Sequence, residues 1–248
     1  MISLVRLLSV GSTNSYIDSE MPAAPHGTVV MAREQTAGRG QRGNSWEAAP
    51  GLNVTMSMVL RPEGLEPARQ FLISQVVSLA MVEVLEPLLP SHTVTVKWPN
   101  DIYVGDRKIC GILIENVLEG RRIDRCTVGL GLNVNQREFL SPAPNPVSLT
   151  QLTGLNYDVE ALALSIAEHI DTLCVRALSS AEAAESLGRA YFSRLWRSEG
   201  WWPFHDHLRD TPMTARIVSV DHAGPITLED RADHTFRTYA FKEISFTL

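Results

Sequence analysis

Cysteine is scarce in this sequence, with three in 248 residues: Cys110, Cys126 and Cys174. An odd number without C-x-x-C spacing supplies neither a disulfide framework nor a zinc site. We therefore expect the chain to work in the reducing cytoplasm. A signal-peptide pattern is lacking too, because the apolar N-terminal segment is short and is interrupted by Arg6. The longest apolar stretches contain charges and are too short for a membrane span, so no membrane partner is expected.

Positive charge is not in excess either. The 22 Lys and Arg residues stand against 28 Asp and Glu residues, which gives a formal net charge of −6. A protein whose main partner was a nucleic-acid backbone would more often be basic, so DNA is not expected as a partner. The sequence also lacks Walker, G-x-S-x-G and H-E-x-x-H motifs, which leaves P-loop, hydrolase and zincin chemistry without support.

The hydrophobic content of 44% is enough for a packed core in one moderate domain with a small appendage. In residues 52–60, apolar side chains from Leu52 to Leu60 alternate with polar ones, which predicts a strand with one buried face. A 3–4 spacing predicts a buried helix over 68–88 and two more after residue 148, with Asp158 as an N-cap. The remaining predicted strands cover 28–33, 94–98, 102–104, 108–120 and 123–134.

The C-terminal segment changes character. Short strands at 214–220, 225–230 and within 235–246 predict a small β-barrel, and we divide the chain into domains 1–200 and 201–248. The His205-Asp206-His207 run could be a metal-binding pair, but no third ligand is evident except Asp210. We interpret it as a solvated connection into the barrel, with Trp201-Trp202 as a hydrophobic hinge.

Residues 38–43 read GRGQRG, which matches the G-x-G-x-x-G pattern of a dinucleotide-binding turn. Such a turn needs a helix directly after the glycines, and here NSWEAAPG and then a strand follow. The motif lies in a connection of about 18 residues, and a long ordered connection is commonly a binding loop. We therefore interpret Arg39 and Arg42 as charges for another anionic ligand, or else as solvated side chains of a surface turn.

Gly129, Gly131 and Asn133 share one face of the strand 123–134. Two glycines and an amide cannot fill a core, so this face predicts that another group comes close to the backbone.

Five stretches, in their order, carry a resemblance: STN (12–14), QTAGRGQRGNSW (35–46), KWPND (97–101), RKICGILIE (107–115) and GLGLNVN (129–135). Together they resemble the biotin protein ligase family. The resemblance implies an α+β fold, a mixed sheet flanked by helices, like a class II synthetase and shared with lipoate ligases, plus a C-terminal SH3-like barrel. Because STN begins at residue 12, we expect the form that lacks the N-terminal DNA-binding domain, a ligase that is not a repressor.

The reaction implied by the resemblance has two steps. Biotin and ATP, with magnesium, give biotinyl-5′-adenylate and pyrophosphate, and a lysine of a biotin carboxyl carrier domain then takes the biotinyl group. The carrier would belong to a biotin-dependent carboxylase, and either a monomer or a homodimer is compatible. A lipoate or related acyl ligase on the same fold is the first alternative, and a non-enzymatic nucleic-acid module that uses the arginine loop is the second.

The resemblance also assigns residues. Polar groups of Ser12, Thr13, Asn14 and Gln35 would hold the biotin ureido ring. Lys108 would be the main catalytic cation, with Arg39 and Arg42 beside it. Asp101 would hold Mg²⁺ or receive the acceptor lysine.

ATP would be contacted by several further residues: Lys97, Asn133, Gly38, Gly40, Gly111, Gly129 and Gly131. Trp46 would stack on adenine, and core packing is the alternative for this residue. Many relatives carry arginine where this chain has Gln41, so Gln41 can bind but brings no charge.

Overall fold

The computed structural model describes residues 1–40, 44–141 and 143–247. Its larger sheet has seven strands in the spatial order β1-β2-β3-β7-β6-β5-β4, in which β1 and β2 are parallel and all other neighbours antiparallel. The strands are β1 Ser3–Val10, β2 Thr28–Gln35, β3 Val54–Leu60, β4 Val94–Lys97, β5 Asp101–Val104, β6 Arg107–Glu119 and β7 Arg122–Leu132. The predicted mixed sheet is therefore present, with strand bounds shifted by a few residues.

The central strand β3 is buried on both faces, so the expectation of one buried face is wrong. Met56 and Met58 belong to the main hydrophobic cluster, which the helices cover. On the other face Val59 packs with Ile17 of helix α1, and Ser57 lies beside the polar residues of that helix. The alternating pattern could not predict burial of the polar face, because a polar side chain can be buried when a distant residue supplies its hydrogen-bond partner.

In the part of the chain that the structure describes, five helices flank the sheet: α1 Thr13–Glu20, α2 Phe71–Leu85, α3 Leu149–Thr153, α4 Val159–Leu178 and α5 Ala181–Ser193. Helix α2 packs against α4 and α5, and α1 packs against β2, β3 and β7. The predicted Asp158 cap is confirmed, since its carboxylate accepts from the backbone N–H groups of Glu160 and Ala161. Its two bonds satisfy donors that every helix leaves open at its first turn.

The predicted helix 68–88 is divided into a 3-10 turn at Pro67–Arg69, helix α2 and a second 3-10 turn at Glu86–Leu88. By length and composition alone, the segment 67–88 could cross a membrane, contrary to the expectation from the sequence, because an 18-residue window within it has a mean hydropathy of 1.6. However, 72% of that window is buried inside the protein, so these side chains form the core.

A second sheet lies at the C-terminus, in the antiparallel order β11-β10-β9-β8-β12. Its strands are β8 Trp202–Asp206, β9 Thr211–Val220, β10 Ile226–Asp230, β11 Phe236–Tyr239 and β12 Ile244–Phe246. Strand β8 corrects the expectation of a solvated connection for His205 and Asp206, whereas His207 follows the strand and is exposed. The carboxylate of Asp206 is buried and accepts from the Tyr239 hydroxyl at 2.7 Å, so this polar run is part of the sheet.

The two sheets share one hydrophobic cluster, which contains Phe204 and Ile244 as well as the core of the larger sheet. The division at residue 200 therefore stays a prediction. Trp98 of the turn between β4 and β5 donates from Nε1 to the Gly224 carbonyl at 2.9 Å and meets the Phe241 ring edge-on at 5.9 Å. The second sheet thus sits directly on the KWPND turn.

Candidate active site

A cavity of about 630 Å³ lies between the larger sheet, the loop after β2 and the second sheet. Thirteen of the residues singled out from the sequence line it: Ser12, Thr13, Asn14, Gln35, Arg39, Gly40, Trp46, Lys97, Asp101, Lys108, Gly111, Gly129 and Gly131. Residues more than a hundred positions apart therefore meet around one space, which is large enough for a small molecule.

Four of the predicted residues are placed otherwise. Gln41 and Arg42 lie outside the described residues. Gly38 is not among the cavity-lining residues, and its carbonyl accepts from the Trp46 N–H at 3.0 Å. Asn133 is not among them either, because β7 has ended and its amide donates to the Val147 carbonyl at 3.1 Å. Asn133 follows the last residue of β7, and its assignment to ATP stays a prediction.

The STN stretch forms a polar corner at the start of α1. Ser12 is in the N-cap position, yet its side chain makes no capping bond. Gln35 Oε1 accepts from the Thr13 backbone N–H at 2.8 Å and lies 3.2 Å from its hydroxyl. Helix α1 therefore begins at residues that the resemblance assigns to the biotin ureido ring, and these residues line the cavity.

Ser57 of β3 is a member of this corner that the sequence reading missed. Its hydroxyl donates to Asn14 Oδ1 at 2.5 Å and lies 2.6 Å from Thr13 Oγ1. A serine has one proton to give, so Thr13 must be the donor in the second bond. Thr13 therefore donates to Ser57 and Ser57 donates to Asn14, which holds the Thr13 and Asn14 side chains in place. The available signal was a polar residue in the middle of a buried strand.

Glu115 of β6 is the second missed residue. One carboxylate oxygen accepts from Asn14 Nδ2 at 2.7 Å, and the other pairs with Arg39, whose guanidinium also donates to Ser15 Oγ at 2.9 Å. Glu115 therefore joins the binding loop to helix α1 in a charge-assisted network.

The glycine face admits close neighbours, as predicted, but they belong to this chain. A Cβ at Gly129 would lie 2.4 Å from Asn14 Oδ1, and one at Gly131 would lie 2.3 Å from Trp46 Nε1. Trp46 also lies against Gly111. Within the described residues its Nε1 is buried without a hydrogen-bond partner, and a buried donor of this kind calls for an acceptor.

The cationic wall of the cavity is built on β4, β5 and β6. Lys108 Nζ lies 2.7 Å from Asp101 Oδ2 and 5.7 Å from the Trp46 ring centroid. Burial lowers the pKa of Lys97. The positive charges of Lys108 and Arg197 lower it further, and the negative charge of Asp101 opposes this shift. The lowered pKa reflects burial of the ammonium first and the neighbouring positive charges second, and an anionic ligand would offset both.

Across residues 1–40, 44–141 and 143–247, no group of three or more His, Cys, Asp or Glu side chains could hold a metal ion. Magnesium is usually bound through one or two carboxylates together with substrate phosphates, so Asp101 fits such an ion only in company with a nucleotide.

The second sheet supplies cavity residues that the sequence did not predict: His207, Phe241, Lys242, Ile244, Ser245 and Phe246. His207 Nε2 lies 3.0 Å from Ser245 Oγ, while His205 Nε2 lies 3.1 Å from Asp210. The strands of the tail were visible in the sequence, but their position over the cavity was not.

Residues 8–133 match the Biotin/lipoate A/B protein ligase family. The chain belongs to this family. The match runs from the last three residues of β1 through β7 of the larger sheet, the part that carries most of the cavity.

Individual members of the family are similar over most of the chain. The bifunctional ligase/repressor BirA of Escherichia coli is 35% identical over 198 residues, 78% of this chain and 58% of that protein. The biotin–[acetyl-CoA-carboxylase] ligase of Paracoccus denitrificans is 36% identical over 159 residues, 62% of this chain and 65% of that protein. The chain spans about half the length of the BirA proteins that it matches.

Solved structures support the fold. The biotin protein ligase of Aquifex aeolicus, in complex with biotin and ATP, matches 100% of this chain and 99% of its own with a TM-score of 0.82 at 23% identity. The Leishmania major enzyme in complex with biotin matches 96% of this chain and 98% of its own with a TM-score of 0.67 at 23% identity. The predicted fold class, a mixed sheet flanked by helices with a small C-terminal SH3-like sheet, is confirmed.

Proposed function

We propose that this chain is an ATP-dependent biotin protein ligase that works in the cytoplasm. It would activate biotin as biotinyl-5′-AMP and transfer the biotinyl group to a lysine of a biotin carboxyl carrier domain. One observation carries the proposal: a single cavity joins a neutral corner of amide and hydroxyl groups to a wall of lysines. The first suits an uncharged cyclic urea, and the second suits a carboxylate and phosphates.

The neutral corner would bind the ureido ring. Because Gln35 Oε1 accepts from Thr13, its Nε2 group is the end that can donate to the ureido oxygen. The Ser12 hydroxyl, which makes no capping bond, can donate or accept there. Glu115 and Ser57 hold Asn14 from both sides, so the corner is organised before a ligand arrives.

The cationic wall would serve the first step. The biotin carboxylate oxygen attacks the α-phosphorus of ATP, the bond from that phosphorus to the bridging oxygen breaks, and pyrophosphate leaves. Lys108 would contact both anions and reduce their repulsion as they approach. Lys97, and Arg39 from the loop, would add positive charge at the same cavity.

In the second step the carrier lysine nitrogen attacks the acyl carbon, the bond to AMP breaks, and the amine loses a proton. Asp101 is the acidic residue placed beside Lys108, and it would accept that proton or hold Mg²⁺ with the phosphates. A magnesium ion supplies further charge neutralisation during ATP use. The ion pair with Lys108 uses Oδ2 of Asp101, and Oδ1 would serve either role.

The family also contains lipoate ligases, so the choice of acid must be tested directly. Purified protein with ATP should release pyrophosphate when biotin is added, and release should be much weaker with lipoate. Selective turnover of lipoate would assign the alternative substrate. Transfer of labelled biotin to a carrier domain would then test the second step.

The variant Lys108→Ala should lose about 100-fold or more of the adenylation rate, because a preorganised charge at the reacting centre is removed. The matched control is Arg107→Ala, which removes the neighbouring exposed cation of the same strand. Equal activity of wild type and Lys108→Ala would contradict the catalytic role of Lys108.

A further inference from the structure

Lys97 ends strand β4 inside a ring of aromatic side chains. Its Nζ lies 5.1 Å from the Tyr103 ring centroid, 5.5 Å from that of Trp196 and 5.6 Å from that of Phe246. It also donates to the Tyr103 hydroxyl at 3.2 Å. Trp196 and Phe246 attract the ammonium through their rings, and Tyr103 holds it through its hydroxyl. These three rings are called the Lys97 cage below.

The Lys97 cage is assembled from distant parts of the chain. Tyr103 belongs to β5, Trp196 follows helix α5, and Phe246 belongs to β12 of the second sheet. The Trp196 ring lies 5.2 Å from that of Tyr103 and 5.3 Å from that of Phe246. Without the second sheet, one wall of the cage is missing.

Arg197 fixes the position of that wall. Its guanidinium lies 3.9 Å from the Trp196 ring centroid and 4.6 Å from that of Trp202 in β8. It also donates to the Thr247 carbonyl at 2.8 Å, directly after Phe246. The end of the chain is thereby tied to the residues that line the Lys97 cage.

The cage holds a charge without cancelling it. A carboxylate partner would neutralise an ammonium, as Asp101 does for Lys108 at 2.7 Å, whereas aromatic rings attract the ammonium and leave its net charge available. Lys97 and Lys108 line one cavity with Asp101, so this group carries excess positive charge. Phosphate oxygens are suitable ligands for such a group.

We propose that Phe246 and Trp196 are positioning residues that direct the Lys97 ammonium at the phosphates of ATP. The C-terminal sheet would therefore take part in nucleotide binding through the Lys97 cage. This inference rests on the ligase function proposed above. It gives the second sheet a specific task, which is to complete the cage around a cation of the larger domain.

The test is a double-mutant cycle on biotin-dependent pyrophosphate release. Phe246→Leu keeps an apolar side chain but removes a ring, and it should raise the KM for ATP about threefold to tenfold. The KM for biotin should stay within twofold. In a Lys97→Met background, Phe246→Leu should add no further change, because the cation that the ring holds is gone. Phe236→Leu, an exposed Phe-to-Leu change in β11, serves as the control.

The outcomes separate the two proposals. Wild type that releases no pyrophosphate with biotin would overturn the ligase function itself. An active wild type together with an unchanged KM for ATP in Phe246→Leu would overturn the Lys97 cage. So would an equal rise in the Lys97→Met background, which is the result expected of general damage to the second sheet. If thermal melting shows that Phe246→Leu is unfolded, Phe246→Met replaces it in the same cycle.

Discussion

Arg39 and Glu115 form an ion pair that joins the long loop after β2 to strand β6. The other carboxylate oxygen of Glu115 accepts from Asn14. The guanidinium read from the sequence as an anion-binding group is therefore already held by a carboxylate. Glu115 therefore orients both the Arg39 guanidinium and the Asn14 amide.

Glu115→Gln should weaken biotin binding about fivefold. The amide keeps the size of the side chain but loses the charge that orders Arg39, and the pair is one-third or more exposed, so a loss of about 1 kcal/mol is expected. Titration calorimetry with biotin would measure the change. Glu119→Gln, at the exposed end of the same strand, is the control. An unchanged affinity in Glu115→Gln would show that the pair does not order the site.

Gly131→Ala should impair the site through Trp46. The new Cβ would lie 2.3 Å from Trp46 Nε1, so the indole must move, and overpacking of this kind costs about 1–3 kcal/mol. We expect a lower melting temperature and weaker binding of both substrates. The loss should shrink in a Trp46→Leu background, because the clashing ring is then absent.

The control for this substitution is Gly188→Ala in helix α5. There the nearest atom to a new Cβ is 3.7 Å away, so the change should be neutral or stabilising by up to about 1 kcal/mol. Equal losses in the two variants would argue against the Trp46 contact.

Asp206 should make stability depend on pH in the acid range. Burial opposes its ionisation, but bonds from Tyr239 and Arg209 outweigh burial, and the pKa is lowered. A carboxyl with a lowered folded pKa stabilises the protein above its unfolded pKa of about 3.9, and this contribution is lost as pH falls through the folded value. Urea unfolding of wild type should therefore show a loss of stability below about pH 4.

Asp206→Asn should be less stable than wild type at pH 7 by about 1–3 kcal/mol, because buried hydrogen bonds are weakened. Below pH 4 the two proteins should converge. The exposed Glu63→Gln serves as the control. A constant difference between Asp206→Asn and wild type across the whole range would contradict this assignment.

The three cysteines should not react with iodoacetamide in the native protein at pH 8. All three are buried. Burial raises the pKa of Cys174 to about 11, and burial together with Cys174 raises that of Cys126 to about 12. Burial raises the pKa of Cys110 further. Mass spectrometry should find no label on folded protein and three labels after denaturation. Rapid labelling before unfolding would contradict this burial.

Much of the fold was predictable because it rests on local patterns. A β-branched run marked the strand 28–33, alternation marked the strand 52–60, and a 3–4 spacing marked the helices after residue 148. The prediction failed at β3, whose polar face is buried, and at β8, whose Asp206 is satisfied from Tyr239. In both cases a distant partner outweighs the local pattern.

The sequence by itself determined the family, the order of most strands and thirteen of the cavity-lining residues, because glycine, charge and amide patterns in fixed order are local properties. Only the tertiary structure decided how those residues act on one another. Glu115 reaches Arg39 over 76 positions, and Phe246 joins Lys97 from the far end of the chain. Contacts of this kind depend on the packing of elements that are distant in the sequence, so short-range sequence patterns do not predict them.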